Sequence, residues 1–258
     1  MNPPATLYLP GAGPLHRLNP LTKLTLSLCF VAAALGGPGY WLATALFFLG
    51  LLPLAVWGGV AWPLLRRSLT IMAPLVVMLF FVHGFFNPDG ATPLFRLGAF
   101  TFTHEGARFA YWIASRLLVI ITAAMLLLLV THPGHLMAAL TERGLPPTLA
   151  YILSSSLQII PQMQAKAQAI MDAQRARGLE TEGSLLRRAR ALPHLLAPLV
   201  LGSLVEAEER AIALEARAFR TPGPKTVWRP PPDSAPQRWL RRALILLTLI
   251  LIGAGLWL

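Results

Sequence analysis

Five long apolar stretches constrain the fold of this chain more than any other feature of its sequence. They are residues 21–35, 40–57, 69–82, 112–130 and 240–258. Their only charges are Lys23 in the first, Arg116 in the fourth, and Arg241 and Arg242 at the start of the fifth. A helix needs about 20 apolar residues to cross the hydrocarbon core, and a lysine near a helix end can extend its amine to the interface. The stretches predict an all-α integral membrane protein with about five transmembrane helices.

The charge composition favours lipid rather than water as the surroundings. Charged residues make up 13% of the chain, against about 25% in a typical soluble domain. The net charge of +11 does not indicate nucleic-acid binding, because fifteen of the 22 basic residues lie between Arg143 and Arg242, mixed with acidic residues and forming no stripe interleaved with aromatic residues. We therefore expect a lipid bilayer, and no nucleic acid, among the partners.

Basic residues fall in alternate connections between the apolar stretches. Arg17 and Lys23 lie at the start of the first, Arg66 and Arg67 follow the second, and the segment between the fourth and fifth is rich in arginine. The other connections are neutral or nearly so. Since cytoplasmic loops carry an excess of Lys and Arg, we expect the N-terminus and the long segment to lie in the cytoplasm, with the chain in the cell inner membrane.

The long charged segment has the periodicity of amphipathic helices. Pro146 and Pro147 precede a predicted helix that ends near Gly178 and contains Pro161. Its apolar residues recur every three or four positions, at Leu149, Ile152, Leu153, Leu157, Ile160, Met163, Ala167, Ile170 and Met171. Its polar face holds Gln158, Gln162, Lys166 and Asp172. A second long helix is predicted over about 184–217, and a shorter one over 135–143.

These elements predict four parts of the chain. They are a membrane domain with about four spans (1–131), a cytoplasmic helical domain (132–220), a proline-rich linker (221–238) and a C-terminal transmembrane helix (239–258). The linker assignment depends on six prolines between residues 221 and 237.

The sequence carries no motif for catalysis or for a cofactor. G-x-x-x-x-G-K-[ST] does not occur, so an ATPase that drives this protein would be a separate chain. His132 and His135 have the spacing of metal ligands but no third or fourth ligand nearby, so polarity at a helix start is the preferred interpretation. Neither a Ser-His-Asp set nor paired intramembrane carboxylates stand out. We expect no catalytic residue, no cofactor and no metal.

Two tripeptides stand out in the charged segment. Ala176-Arg177-Gly178 closes the first long predicted helix, and Ala216-Arg217-Ala218 closes the second, forty residues later. Small neighbours allow close approach, and a guanidinium can bind a carboxylate or backbone carbonyls with two hydrogen bonds. A simpler interpretation is that each arginine complements the helix dipole, for roughly 0.3–1 kcal/mol. The repetition of the pattern on successive helices favours a docking site.

Further motifs run along most of the chain. They are Tyr8-Leu9-Pro10-Gly11, Leu15-His16-Arg17-Leu18-Asn19-Pro20-Leu21-Thr22-Lys23-Leu24, Thr103-His104-Glu105-Gly106 with Arg116, Gly144-Leu145-Pro146, Ile160-Pro161 and Ala173-Gln174-Arg175-Ala176-Arg177-Gly178. With these motifs the chain resembles the T component of energy-coupling factor transporters, a family with cobalt, nickel, biotin and shared vitamin-uptake versions. One departure is Ala218, which stands where the family often has glycine.

The resemblance implies partners and a mechanism. Two cytoplasmic ATPases similar to those of ABC transporters would receive Arg177 and Arg217, one each, and their ATP-driven closure would push the two coupling helices together. The apolar helix faces would carry this movement to a small membrane-embedded substrate-binding subunit, which takes up a vitamin or a transition-metal ion. The resemblance assigns ATPase coupling to Ala176, Arg177, Gly178, Ala216, Arg217 and Ala218, and makes the chain a non-catalytic subunit.

Alternatives stay open on the sequence alone. A conventional ABC permease also docks ATPases, but normally through a single glutamate-containing coupling loop. A polytopic membrane enzyme would need a metal-binding acidic motif or a nucleophile at the membrane face. Arg116 is either an intramembrane functional group or a residue that snorkels or has a packing partner. The transported substrate is not identified.

Overall fold

The computed structural model of the chain describes residues 8–11, 13–86, 92–97, 100–179, 185–221, 223 and 232–257. This part of the chain is mostly helical. The helices are α1 (Pro14–Arg17), α2 (Pro20–Gly36), α3 (Leu42–Ala45), a π-helix (Leu46–Leu51), α4 (Leu52–Trp57), α5 (Ala61–Phe85), α6 (His104–Val130), α7 (Pro133–Thr141), α8 (Pro147–Ala176), α9 (Leu185–Ala216) and α10 (Ala235–Trp257). The two strands are β1 (Pro93–Leu97) and β2 (Phe100–Thr103).

The chain divides into two compact units. The first unit comprises Met1–Leu140 and Arg229–Leu258, and the second comprises Thr141–Trp228. Helices α8 and α9 form the second unit, and the other elements belong to the first, with α7 ending at the boundary. Most of the predicted proline-rich linker, residues 222 and 224–231, lies outside the described residues.

Among the described residues, three helices are long and apolar enough to cross a membrane, namely α5, α6 and α10 of the first unit. The apolar helix α2 and the segment Leu42–Trp57 have at most 17 residues each, which at about 1.5 Å per residue falls short of a hydrocarbon core roughly 30 Å thick. The predicted mostly helical fold with candidate membrane-spanning helices is confirmed. The number of five spans stays a prediction.

The core of the first unit is close-packed around α6. Leu51, Ala55, Leu64, Val119 and Leu129 are at most 1% exposed. Helix α6 packs against α5 and α2, and α2 also packs against α10. Since lipid tails are as apolar as leucine, such contacts stabilise the bundle by close packing and by polar bonds between helices rather than by exclusion of water.

Two cations of the first unit bind helix carboxyl ends. Lys23, which the sequence places at the edge of a span, is 6% exposed, and its Nζ donates to the carbonyl oxygens of His16 and Val130, both at 2.8 Å. These carbonyls lie at the ends of α1 and α6, where backbone acceptors have no partner inside the helix. A buried lysine therefore ties three helices together instead of extending to the interface.

Arg116 has the same kind of role at the other end of α2. Its Nη1 and Nη2 donate to the carbonyl oxygens of Leu35 (2.9 Å) and Gly37 (3.3 Å). Its guanidinium also lies 4.0 Å from the ring centroid of Trp112. Of the interpretations that the sequence left open, these contacts support a packing partner, since Arg116 satisfies the last carbonyls of α2.

A short β-hairpin departs from the predicted all-α fold. Strands β1 and β2 pair antiparallel, with Phe95 opposite Phe102. Their rings stack at 4.9 Å, and Phe102 also packs on Phe85 at the end of α5 (5.2 Å). The all-α prediction is wrong for this segment, because aromatic and β-branched residues favour paired strands when a neighbouring helix covers one face.

A polar network fastens α10 to the start of α2. Arg241 donates from Nη1 and Nη2 to the two carboxylate oxygens of Asp233, both at 2.9 Å, and from Nη1 to Thr22 Oγ1 at 2.9 Å. Gln237 Oε1 accepts from the backbone N–H of Asn19 at 2.8 Å. Helix α10 begins at Ala235, four residues before the predicted start at 239, because Pro236 is tolerated in a first helical turn.

Candidate functional site

Helices α8 and α9 of the second unit form an antiparallel hairpin. Gln174 near the end of α8 donates to the carbonyl oxygen of His194 near the start of α9 (3.5 Å). At the opposite end, the rings of Tyr151 and Phe219 lie 5.4 Å apart. The structure thus places the carboxyl ends of the two helices at opposite ends of the hairpin.

Polar side chains join the two helices along the middle of the hairpin. Lys166 forms an ion pair with Glu206. Arg210 Nη2 donates to Gln162 Oε1 at 2.9 Å. Gln162 and Lys166 belong to the polar face predicted from the sequence, whereas Met163 of the apolar stripe is half-buried and accepts from Ser203 Oγ of α9 at 3.4 Å. Residues of both faces of α8 therefore meet α9. The sequence did not predict these pairs, because the residues are 40 or more positions apart and meet only where the two helices cross.

Many apolar residues of the hairpin are nevertheless exposed, in α8 mainly along its first half. In α8 the exposed apolar residues are Leu149, Ile152, Leu153, Leu157 and Ile160, at 45–57% exposure. In α9 they are Leu192, Leu196, Val200, Leu201, Leu204, Val205 and Ile212, at 50–63%. Exposed apolar side chains in this number are typical of a surface that a protein partner or lipid covers.

Helix α8 ends in a Schellman motif centred on the first predicted tripeptide. Arg177 is the C-cap, and Gly178 follows with φ of 87°. The backbone N–H of Leu179 donates to the carbonyl of Gln174 (3.0 Å), and that of Gly178 to the carbonyl of Arg175 (2.9 Å). Glycine suits this left-handed position because it has no Cβ.

Helix α9 ends in the same way without a glycine. Ala218 has φ of 54°, the one positive φ at a non-glycine residue among the described residues. The N–H of Phe219 donates to the carbonyl of Leu214 (3.0 Å), and that of Ala218 to the carbonyl of Glu215 (2.9 Å). Arg217 therefore has the same place in its motif as Arg177, and the departure from the family pattern at Ala218 leaves the helix end unchanged.

Replacing Ala218 with glycine is expected to stabilise the end of α9 by about 1 kcal/mol, because a left-handed backbone costs an alanine roughly that much. Slower hydrogen exchange at the amides of Ala218 and Phe219 would measure the gain. Gly178→Ala is the matched opposite change and should destabilise the end of α8 by a similar amount. Equal rates of amide hydrogen exchange in the wild type and in Ala218→Gly would show that the left-handed backbone at Ala218 is not strained.

Both arginine side chains are exposed and have no ion-pair or hydrogen-bond partner among the described residues. Arg217 lines a polar cavity of about 390 Å³ within the hairpin, together with Tyr151, Ser154, Ser155, Gln158, Gln162 and Arg210. Because α8 rises about 1.5 Å per residue, residue 155 lies about 33 Å from Arg177 at the end of that helix. The two arginines are thus available at separate ends of one hairpin.

The Lys166–Glu206 pair predicts a pH dependence of the hairpin. The hydrogen bond from Lys166 holds the pKa of the Glu206 carboxyl below its ordinary value. A carboxyl with a lowered pKa stabilises the folded state above its unfolded value of about 4.3, and this stabilisation is lost as the pH falls through the lower folded value.

Thermal unfolding followed by circular dichroism between pH 3 and pH 7 measures this loss. Glu206→Gln should remove the part of the pH dependence that lies below about pH 4, whereas Glu208→Gln, two residues away and exposed, should retain it. An identical pH profile for Glu206→Gln and wild type would rule out the contribution of this pair.

The histidines considered as metal ligands take part in a helix start. His132 Nδ1 accepts from the backbone N–H of Gly134 at 3.1 Å, in the first turn of α7. The structure thus supports the interpretation as helix-start polarity.

Comparison with known proteins gives the family of the chain. The family model described as CbiQ, cobalt transport protein, matches residues 11–227. An energy-coupling factor transporter transmembrane protein EcfT from Listeria innocua serovar 6a is 34% identical over 223 residues, which cover 83% of each chain. The protein of the same name from Bacillus subtilis (strain 168) is 33% identical over 238 residues, covering 86% of this chain and 88% of that one. The chain therefore belongs to the CbiQ family and is an energy-coupling transmembrane component of the energy-coupling factor transporters.

Proposed function

We propose that this component transmits ATP-driven movement from two cytoplasmic ATPase subunits to a small membrane-embedded substrate-binding subunit. The cargo class that we propose is a vitamin or a transition-metal ion. In this proposal the chain lies in the inner membrane with five spans, and its N-terminus and residues 132–220 are cytoplasmic. Residues 1–131 and 239–258 lie in the membrane, and residues 221–238 link the two parts.

The geometry of the α8–α9 hairpin is the observation that carries the proposal. Arg177 and Arg217 cap their helices in the same Schellman geometry, at opposite ends of the hairpin. Two separate arginine sites fit two ATPase subunits, one at each end. An exposed guanidinium fixed at a helix end can bind a carboxylate or carbonyls of an ATPase with little ordering of the chain.

The polar contacts between the helices suit a moving part. Ion pairs and hydrogen bonds between long side chains tolerate changes of helix crossing better than a close-packed apolar interface, which resists deformation. When the ATPases close, we expect the arginine ends to move and the helices to pivot about the Lys166–Glu206 region. The exposed apolar faces would then pass this movement to the substrate-binding subunit.

A purification from native membranes in mild detergent tests the proposal. Every protein that co-purifies with the tagged chain is identified by mass spectrometry. Two ATPase chains and a small hydrophobic protein are expected, and the small protein would identify the cargo. Recovery of ATPases with a soluble binding protein would favour a conventional permease instead. Recovery of no ATPase, where a control transporter stays intact, would overturn the coupling function.

A further inference from the structure

A basic cavity in the first unit is not used by the coupling function. It has a volume of about 490 Å³ and is lined by residues before and within α2 and by residues at the α6–α7 junction. Its side chains with ring nitrogens or cationic groups are His16, Arg17, Lys23, His132 and His135. Tyr8 and Thr131 add hydroxyl groups to the wall. We refer to it as the basic cavity.

No carboxylate on the neighbouring chain segments balances these cations. The first acidic residue of the sequence is Asp89, and no acidic residue occurs from residue 106 to residue 141. Pro232 also lines the cavity, and the carboxylate of the following Asp233 accepts both hydrogen bonds from Arg241. Lys23 itself is bonded to two neutral carbonyls, which leave its positive charge uncompensated.

Two buried polar atoms of residues that line this cavity have no hydrogen-bond partner among the described residues. They are His16 Nδ1 and Thr131 Oγ1, and Thr131 is only 5% exposed. A buried hydroxyl without a partner is costly, so Thr131 Oγ1 is a group that a ligand atom in the cavity could satisfy. The cavity thus combines positive charge, hydrogen-bonding groups and room for a tetrahedral anion.

We propose that the basic cavity binds a phosphate group, supplied in the membrane by the headgroup of an anionic phospholipid. The cavity lies where α2 begins and α6 ends, at one edge of the apolar helices. In the orientation proposed above this edge is cytoplasmic, where basic pockets between helices bind anionic headgroups. Free inorganic phosphate has the same chemistry, and the experiment separates the two sources.

Native mass spectrometry of the full chain in neutral detergent provides the test. The probes are phosphatidylglycerol, phosphatidylcholine and inorganic phosphate. Phosphatidylglycerol is expected to bind at one site more tightly than phosphatidylcholine, and inorganic phosphate to bind weakly. Equal affinity for phosphatidylcholine and phosphatidylglycerol would overturn the proposal. Inorganic phosphate that binds as tightly as phosphatidylglycerol would assign the cavity to the free ion and overturn the lipid source.

Variants of residues that line the cavity test whether the phospholipid binds there. Arg17→Gln should weaken phosphatidylglycerol binding roughly fivefold, and addition of His135→Gln should weaken it further. Both residues are exposed, so their replacement leaves the buried Lys23 contacts in place. Arg66→Gln removes the same charge from an exposed residue that does not line the cavity, and it should bind as wild type does. Equal weakening by Arg17→Gln and Arg66→Gln would show that binding depends only on the overall surface charge, and it would overturn the proposal of a site in the basic cavity.

A pH series gives a second readout. Burial lowers the pKa of His16 and of His132, and His135 lowers that of His132 further. A bound phosphodiester would oppose this lowering, so the histidines take up protons on binding and affinity should rise from pH 8 to pH 6. The groups that face the ligand are Tyr8, Arg17, Lys23 and the three histidines. A pH-independent affinity would contradict contact with the histidines.

Discussion

Replacement of both Arg177 and Arg217 with alanine is expected to abolish transport while the chain still inserts into the membrane. Each change removes a charge-assisted contact worth on the order of 1.5–3 kcal/mol. Each single variant should therefore bind its ATPase at least about tenfold more weakly, since 1.4 kcal/mol is a factor of ten. Co-purification of ATPases and uptake by the reconstituted complex measure the two effects.

The structure provides a matched control for this experiment. Arg220 is an exposed arginine three residues after Arg217 and outside the helix cap. Arg220→Ala removes the same charge and should leave ATPase binding and uptake close to wild type. Insertion is expected to be unchanged in all variants, because none of these residues lies in an apolar stretch. Normal transport by the double variant would show that these arginines do not couple the chain to its ATPases.

Arg241→Leu is expected to lower the free energy of unfolding by roughly 3 kcal/mol, because removing one member of a buried ion pair leaves the other without its partner in a poorly solvated place. The change deletes both hydrogen bonds to Asp233 and the one to Thr22. Helix α10 should then detach more readily from α2. Thermal unfolding in detergent measures the loss, and faster proteolysis within residues 221–238 would show where the chain opens.

The neighbouring arginine is the control for this second prediction. Arg242 is exposed and lies over the ring of Trp239 at 5.5 Å, so Arg242→Leu should change the unfolding temperature little. A double-mutant cycle with Asp233→Asn isolates the energy of the pair itself. Equal unfolding temperatures for Arg241→Leu and Arg242→Leu would mean that the network does not hold α10.

The sequence predicted those structural elements that depend only on residues close together along the chain. Apolar length predicted a helical membrane protein, since a helix that spans lipid must satisfy its own backbone. Pro146-Pro147 before a helix and Gly178 after its end predicted the bounds of α8 to within two residues, with Pro147 itself the first helical residue. The family resemblance was confirmed by comparison with known proteins. The coupling role of the two tripeptides stays a prediction for the variants above.

Tertiary contacts decided three features that no local sequence pattern predicts: the β-hairpin, the role of Arg116 and the basic cavity. The β-hairpin packs on α5 through Phe102 and Phe85, a contact between two elements that no local pattern predicts. Arg116 became a cap for α2 because the carbonyl oxygens of Leu35 and Gly37 lie within its reach. The basic cavity likewise unites segments more than a hundred residues apart in the sequence.

The α8–α9 hairpin shows most directly what the sequence determines and what only the tertiary structure decides. The amphipathic period by itself determined which residues share a face of α8, because 3.6 residues per turn sets that grouping for any helix. Which residues of α8 meet α9 was decided only in three dimensions, where Lys166 pairs with Glu206, Gln162 with Arg210 and Met163 with Ser203. The interface is therefore mixed, and the apolar residues that stay exposed on both helices fit a surface that lipid or a partner covers. The sequence therefore determined the helices and their faces, and the tertiary structure decided the direction in which those faces point.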